Sequence, residues 1–207
     1  MSVRRSDQPG DSTQRSRNAL LSIGHSSHPI DHFLSLLRRH AIEVVVDARS
    51  QPYSRHAPQY NREALERTLR DGGFRYLFLG SELGGRPEGD EFYDSEGHVL
   101  YDRVAASARF LEAIERLERG AQQFRVALMC SEEDPVTCHR RLLIGRVLGE
   151  KGVDLGHVRG DGRIEREADL VGKTPDQVPL FGERKEAPWR STRSVSRRGT
   201  PAASSRP

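Results

Sequence analysis

The chain is poor in the features that would assign it quickly to a specialised class. It has only two cysteines in 207 residues, Cys130 and Cys138, too few for the disulfide framework of a small secreted protein. No apolar run approaches the ~18 residues that span a bilayer. No hydrophobic segment follows the basic N-terminal residues before Ala19, so neither a membrane anchor nor a secretory leader is expected. A Walker loop and a G-x-G-x-x-G fingerprint are missing, and no repeat of about 20–50 residues is visible. There is no C-x-x-C pair of the zinc-ribbon kind. The phosphatase spacing, Arg six residues after Cys, is absent too, because Val136 and Ile144 stand at those positions. These absences leave a reduced, cytoplasmic protein with one domain and a real core.

Its charge is unevenly placed. The sequence pI is about 9.1, which suggests a polyanionic partner. Residues 1–18 carry four Arg against two Asp, and residues 181–207 six Arg and one Lys against two Glu. Of the formal +3, the body over 19–180 therefore holds −4. The basic charge sits on Ser-, Arg-, Pro- and Gly-rich ends, which bury too little apolar surface to fold. Both ends, 1–18 and 181–207, are expected to be disordered tails. An Arg-rich tail adds nonspecific, salt-sensitive attraction to nucleic acid.

Between the tails, short apolar runs alternate with segments of helical spacing. Strands are expected over Ala19–Ile23, Glu43–Val46, Phe74–Leu79, Phe124–Met129 and Val153–Val158. Ile30, Phe33, Leu34 and Leu37 mark a first helix. Leu65 and Leu69 mark a second, which Asn61 can cap and Gly72-Gly73 closes. Val104, Ala108, Leu111, Ile114 and Leu117 mark a long third, and a fourth runs to about Gly152. The pattern predicts one three-layer α/β domain with a mainly parallel sheet of about five strands.

On that scaffold the reactive residues cluster. His25, Asp47, Arg49, Gly84-Gly85-Arg86 and Cys130 each follow the carboxyl end of a predicted strand, the rim where open α/β sheets bind ligands. The densest stretch is Leu128 to Arg141, which holds both cysteines, Glu132, Glu133, Asp134, His139, Arg140 and Arg141. Cys130 is positioned as a nucleophile or as a small buried residue ending its strand. The acids that follow it raise a thiol pKa unless an arginine compensates. With Asp134 as cap and Pro135 first in the helix, Cys138 is expected in the first helical turn. Adjacent residues on a helix diverge, so spacing alone does not join Cys138 to His139. Cys130, Cys138, His139 and His25 also supply sulfur and nitrogen donors, but without a recognised metal spacing.

His25 or His139 is a candidate proton shuttle, Glu132 an acid or base, and Asp47 either a base or the orienting partner of an arginine. Arg49, Arg55, Arg86 and Arg140, with Ser50, Gly84 and Gly85, are candidates for holding an anion. Tyr53 and Tyr60 beside Arg55 could stack on a base, or pack on the domain edge.

Four of these segments together resemble a known family, domain of unknown function 488 (DUF 488). They are Ser22-Ile23-Gly24-His25-Ser26; Val46-Asp47-Ala48-Arg49-Ser50-Gln51-Pro52 with Ser54-Arg55; Leu83-Gly84-Gly85-Arg86; and Leu128-Met129-Cys130-Ser131-Glu132 through Cys138-His139-Arg140. The likeness covers about residues 19–160. Ala48 stands where Val is expected for the family, and Ser131 where Ala is. The resemblance implies a fold and a site location; the family's activity is not established. The expectation is an enzyme acting on an anionic substrate, a nucleotide or nucleic acid among the choices, through its Cys, His, Arg and Glu residues. Two alternatives stand beside it: a non-catalytic nucleotide or nucleic-acid binding module, and a metal-dependent hydrolase. No cofactor and no oligomeric state are specified by these residues.

Overall fold

A computed structural model describes residues 20–170 and 189–195. The expected disorder at 1–18, and over most of 181–207, lies outside these residues. Six strands form one sheet in the order β3-β2-β4-β1-β5-β6, one more than expected. They are β1 (Leu20–Gly24), β2 (Val44–Asp47), β3 (Arg75–Phe78), β4 (Val126–Cys130), β5 (Gly156–Val158) and β6 (Ile164–Glu165). All neighbours pair in parallel except β5 and β6.

Strand alternation decides which face each side chain serves. Leu20, Val44, Val46, Val126 and Leu128 face one layer. It is built from α3 (Tyr101–Ala105), α4 (Ala108–Gln123) and the segment leading into α5 (Arg146–Glu150). Leu21, Ile23, Val45, Ala127 and Met129 face the other, formed by α1 (Ile30–Arg39) and α2 (Arg62–Asp71). The central strands are therefore apolar at nearly every position, as strands covered on both faces must be. Phe110 and Phe33 are almost fully buried in opposite layers; truncating either to Ala costs roughly 3–5 kcal/mol.

Two helix boundaries depart from the sequence reading for local reasons. The expected long helix breaks before Ser107, whose hydroxyl accepts from the Phe110 N–H at 3.4 Å and starts α4 anew. The face then packed inward is Phe110, Ala113, Ile114, Leu117 and Ala121, leaving Leu111 exposed. Asn61 precedes α2 without capping it. Its Oδ1 instead accepts from the Ser54 N–H at 2.7 Å and so pins the loop after β2. A short helix α6 (Glu167–Leu170) follows β6.

Residues 189–195 lie in the span read as a C-terminal tail, yet they pack on the body. Trp189 Nε1–H donates to the Leu142 carbonyl at 2.7 Å. The Arg146 guanidinium sits 4.3 Å from the Trp189 ring centroid. Leu100 and Arg190 form an antiparallel bridge, and the buried Ser191 exchanges backbone and side-chain bonds with Val99. One aromatic anchor with a short strand-like strap outweighs the polar composition of its surroundings.

Candidate functional site

The sheet order places β4 between β1 and β2, so the loops after these three strands share one rim. Backbone pairing continues past the strands. His25 N–H donates to the Cys130 carbonyl at 3.0 Å, Ser26 N–H to that of Ser131 at 2.9 Å, and Ala48 N–H to that of Met129 at 3.0 Å. Gly24 makes this possible, since a Cβ there would stand 1.8 Å from the Glu132 carbonyl oxygen. The result is a crevice of about 460 Å³. Among the residues facing it are Arg49, Arg86, Tyr101, Cys130, Glu132, His139 and the strap residues Ser191–Val195.

On one side of the rim lies a saturated ion network. Arg49 grips Asp47 with Nε at 2.9 Å from Oδ1 and Nη2 at 2.7 Å from Oδ2. The same carboxylate accepts from the Arg49 N–H at 3.0 Å and the Tyr76 hydroxyl at 2.8 Å. Its lone pairs are occupied, so Asp47 orients Arg49, the role weighed against a general base. His25 Nδ1–H donates to its neighbour's carbonyl, Ser26 O, at 2.7 Å. Its Nε2 is then the acceptor facing Arg49 Nη1 at 3.2 Å. Burial first, then the adjacent guanidinium, lowers the His25 pKa to about 4. Stacked on Tyr60 with ring centroids 4.1 Å apart, His25 is a neutral structural acceptor at pH 7.

A thiol cluster occupies the other side. Cys130 ends β4, and Cys138 closes the turn Pro135–Cys138, its N–H donating to the Pro135 carbonyl at 3.1 Å. Cys138 therefore precedes the helix instead of sitting in its first turn. Asp134 Oδ1 accepts from Val136 N–H at 3.1 Å and so shapes this turn. A π-helical stretch follows over Arg140–Gly145, an irregularity frequent at functional sites. His139, at its start, swings toward the sheet and meets both sulfurs: Nδ1 lies 3.7 Å from Cys130 Sγ and 3.8 Å from Cys138 Sγ. Its Nε2–H donates to the Ala48 carbonyl at 3.2 Å, which leaves Nδ1 to face the thiols. Gly85 packs closely on this ring: a Cβ there would stand 3.0 Å from His139, which would have to shift slightly.

Arg140 explains the charge of this cluster. It is fully buried, and its two terminal nitrogens donate to the carbonyls of Glu132 and Glu133, the latter at 2.5 Å. Among the described residues its Nε has no hydrogen-bond partner, and no carboxylate pairs with it. Bonds to carbonyls return roughly 1.5–3 kcal/mol each, whereas an unneutralised buried ion costs several kcal/mol. A nearby anion is therefore favoured, and Cys130 is placed to supply it. The Cys130 pKa falls well below that of a free thiol because Cys138 donates to it, with His139 and Arg140 adding to the effect against burial. Burial and the neighbouring Cys130 push Cys138 up. Burial works against the charge of His139, but Cys130 overrides it and raises that pKa. All three shifts run toward a charged Cys130–His139 pair beside a neutral Cys138 thiol.

The remaining candidates are placed unevenly. Ser50 is buried, and its hydroxyl accepts from Arg86 N–H at 2.9 Å. A Cβ on Gly84 would stand 2.2 Å from that hydroxyl, so Gly84 and Gly85 serve close packing. Arg86 reaches Gln51 at 3.1 Å and faces the crevice. Glu132 is exposed at its mouth. Arg55 is exposed and not brought to the crevice, and Arg140 lies beneath it as a buried brace. Sequence reasoning missed Tyr101 and the strap residue Arg193, which also line the crevice. Tyr101 opens a helix and Arg193 sits in a polar tail, so neither carries a strand-end signal. The donor atoms of Cys130, Cys138 and His139 lie within 4.8 Å of one another, and this trio is what could hold a soft cation. No described helix is long and apolar enough to cross a membrane.

The family model described as "Domain of unknown function DUF488" matches residues 29–147, more than half of the chain. It begins after the first of the four resembling segments and contains the other three. No curated protein and no solved structure matches the chain.

Proposed function

The chain belongs to the DUF488 family, and from that premise we propose that the crevice is the active site of an enzyme using Cys130 as a thiolate nucleophile toward an anionic substrate. One observation carries the reading: a single imidazole nitrogen faces two sulfurs, one of which lines the crevice, beside a buried guanidinium that has no carboxylate partner among the described residues. Thiolate–imidazolium pairing is how cysteine nucleophiles are activated. His139 holds the proton that a leaving group requires. Tyr101, whose pKa burial raises, is a neutral hydroxyl donor on the same wall.

Charge at the crevice supports the substrate class. Arg86 and Arg193 face it with no carboxylate partner among the described residues, while Arg49 is already neutralised by Asp47. Glu132 is the opposing charge at the mouth. Guanidiniums suit carboxylate or phosphate groups, and the volume accommodates a small molecule of nucleotide size. A purely binding role for a nucleotide or nucleic acid would use the arginines but leave the Cys130–His139 pair without a purpose.

Paired alkylation reagents test this. Anionic iodoacetate should modify Cys130 faster, relative to neutral iodoacetamide, than either reagent's ratio on free cysteine. Arg86→Ala and Arg193→Ala should each reduce that preference several-fold, and so should high salt. Equal or lower iodoacetate preference contradicts the anionic substrate class. Alkylation that appears only after chelation, with stoichiometric zinc in the purified protein, replaces the thiolate enzyme by a metal-dependent one.

A further inference from the structure

Cys138 is not needed for a simple thiolate nucleophile, and its place beside Cys130 calls for a use. Both cysteines are free, and their sulfurs lie within 4.8 Å of each other around one imidazole. Their accessibility differs. Cys130 is 6% exposed and faces the crevice, whereas Cys138 is 0% exposed behind it. Their backbones differ as well: Cys130 is the last residue of a central strand, while Cys138 sits in a turn ahead of the helix. A small shift of that turn would bring the sulfurs toward the ~2.05 Å of a disulfide without unwinding regular structure. An attacking thiol that lines a crevice, with a fully shielded partner alongside, is the arrangement of thiols that reduce peroxides reversibly.

We infer that Cys130 and Cys138 form a dithiol–disulfide couple that reduces hydroperoxides, with Cys130 attacking and Cys138 resolving. The inference rests on the reading of Cys130 as a nucleophile. In the first step the Cys130 sulfur attacks one oxygen of hydrogen peroxide; the S–O bond forms and the O–O bond breaks. The departing hydroxide takes the His139 proton and leaves as water. In the second step Cys138 attacks the sulfenic sulfur; the S–S bond forms and the S–O bond breaks. The hydroxide leaving Cys130 takes the Cys138 proton as a second water. Two thiols are oxidised by two electrons and one peroxide is reduced to two waters. The disulfide occupies the nucleophile, so the same chemistry switches the crevice off until a thiol reductant restores it.

The test uses the reduced, chelator-treated full-length protein and stepwise hydrogen peroxide, read by intact mass and non-reducing peptide maps. Wild type should lose two hydrogens, give a Cys130–Cys138 crosslink and trap no dimedone adduct. Reaction should be at least about tenfold faster than with free cysteine. Cys138→Ser should instead hold a dimedone-reactive sulfenic acid on Cys130. Wild type that accumulates sulfenic or sulfinic acid on Cys130, with Cys138 still free, overturns the inference whatever the variant does. If Cys130 is nevertheless alkylated rapidly by iodoacetamide, its role as nucleophile survives that failure. If it resists both reagents in the folded protein, both readings fall.

Discussion

Two histidine–arginine assemblies stand side by side on one sheet rim, and they have been completed in opposite ways. Around Asp47, four donors meet one carboxylate, Arg49 is neutralised, and His25 is locked as a neutral acceptor. Around Cys130, a buried arginine has only carbonyls as partners among the described residues, and one imidazole nitrogen faces two sulfurs. The first assembly is chemically finished within the protein; the second has charge and protons left to exchange. Sites of reaction are expected where polar groups are held in place but not fully satisfied.

The comparison breaks most visibly at the thiol. Replacing Cys130 by Ser should remove fast alkylation altogether and, because the buried Arg140 loses its anion while keeping its two carbonyl bonds, should also cost several kcal/mol of unfolding free energy. If Cys130→Ser leaves the unfolding free energy unchanged, Cys130 is not the anion that offsets Arg140. The finished assembly should respond in stability alone. Asp47→Ala strands Arg49 as a buried, unpaired charge and should cost roughly 3–5 kcal/mol in urea unfolding. Iodoacetamide reactivity of Cys130 should survive in whatever fraction stays folded.

The pH response sharpens the distinction further. His25 is held near pKa 4 and His157 near 3, both chiefly by burial. A lowered folded-state pKa means that the unfolded chain binds the extra proton first. Stability from these groups is therefore fully present above the unfolded value of about 6.5, and is lost as pH falls to about 4 for His25 and about 3 for His157. His25 alone should account for on the order of 3 kcal/mol of that loss. His25→Gln, which keeps an acceptor and cannot titrate, should flatten its share of the decline in a pH series of urea melts. An unchanged slope would show that His25 already protonates freely in the fold. The smallest effect is expected at Gly85: adding a methyl beside the His139 ring should slow Cys130 alkylation a few-fold with little change in Tm.

Much of the fold was legible because its signals are local and repetitive. Val44, Val45 and Val46 announce a covered strand, and the spacing of Phe33, Leu34 and Leu37 announces the helix beside it. The rim was legible too, because a parallel sheet sends every strand end the same way. What was hidden depends on three-dimensional return. His139 meets Cys130 nine residues away only because the turn at Pro135–Cys138 brings the chain back, and no spacing rule encodes that turn. Arg140 and Arg86 look equivalent in sequence, yet one is a buried brace and the other faces the crevice. The strap was concealed by composition: Arg, Ser and Thr surround Trp189, and its docking depends on a Leu142 carbonyl that no local pattern marks.

The most direct measurement is the pH dependence of Cys130 alkylation by iodoacetamide, resolved from Cys138 by peptide mass spectrometry on the chelator-treated protein. A Cys130 thiolate stabilised by Cys138, His139 and Arg140 predicts an apparent pKa well below the free value of ~8.5, with Cys138 unmodified over the same range. Replacing His139 by Ala should move that value upward. A Cys130 that titrates at or above the free-thiol value, or that stays inert until the protein unfolds, would contradict the thiolate and return the site to its arginines.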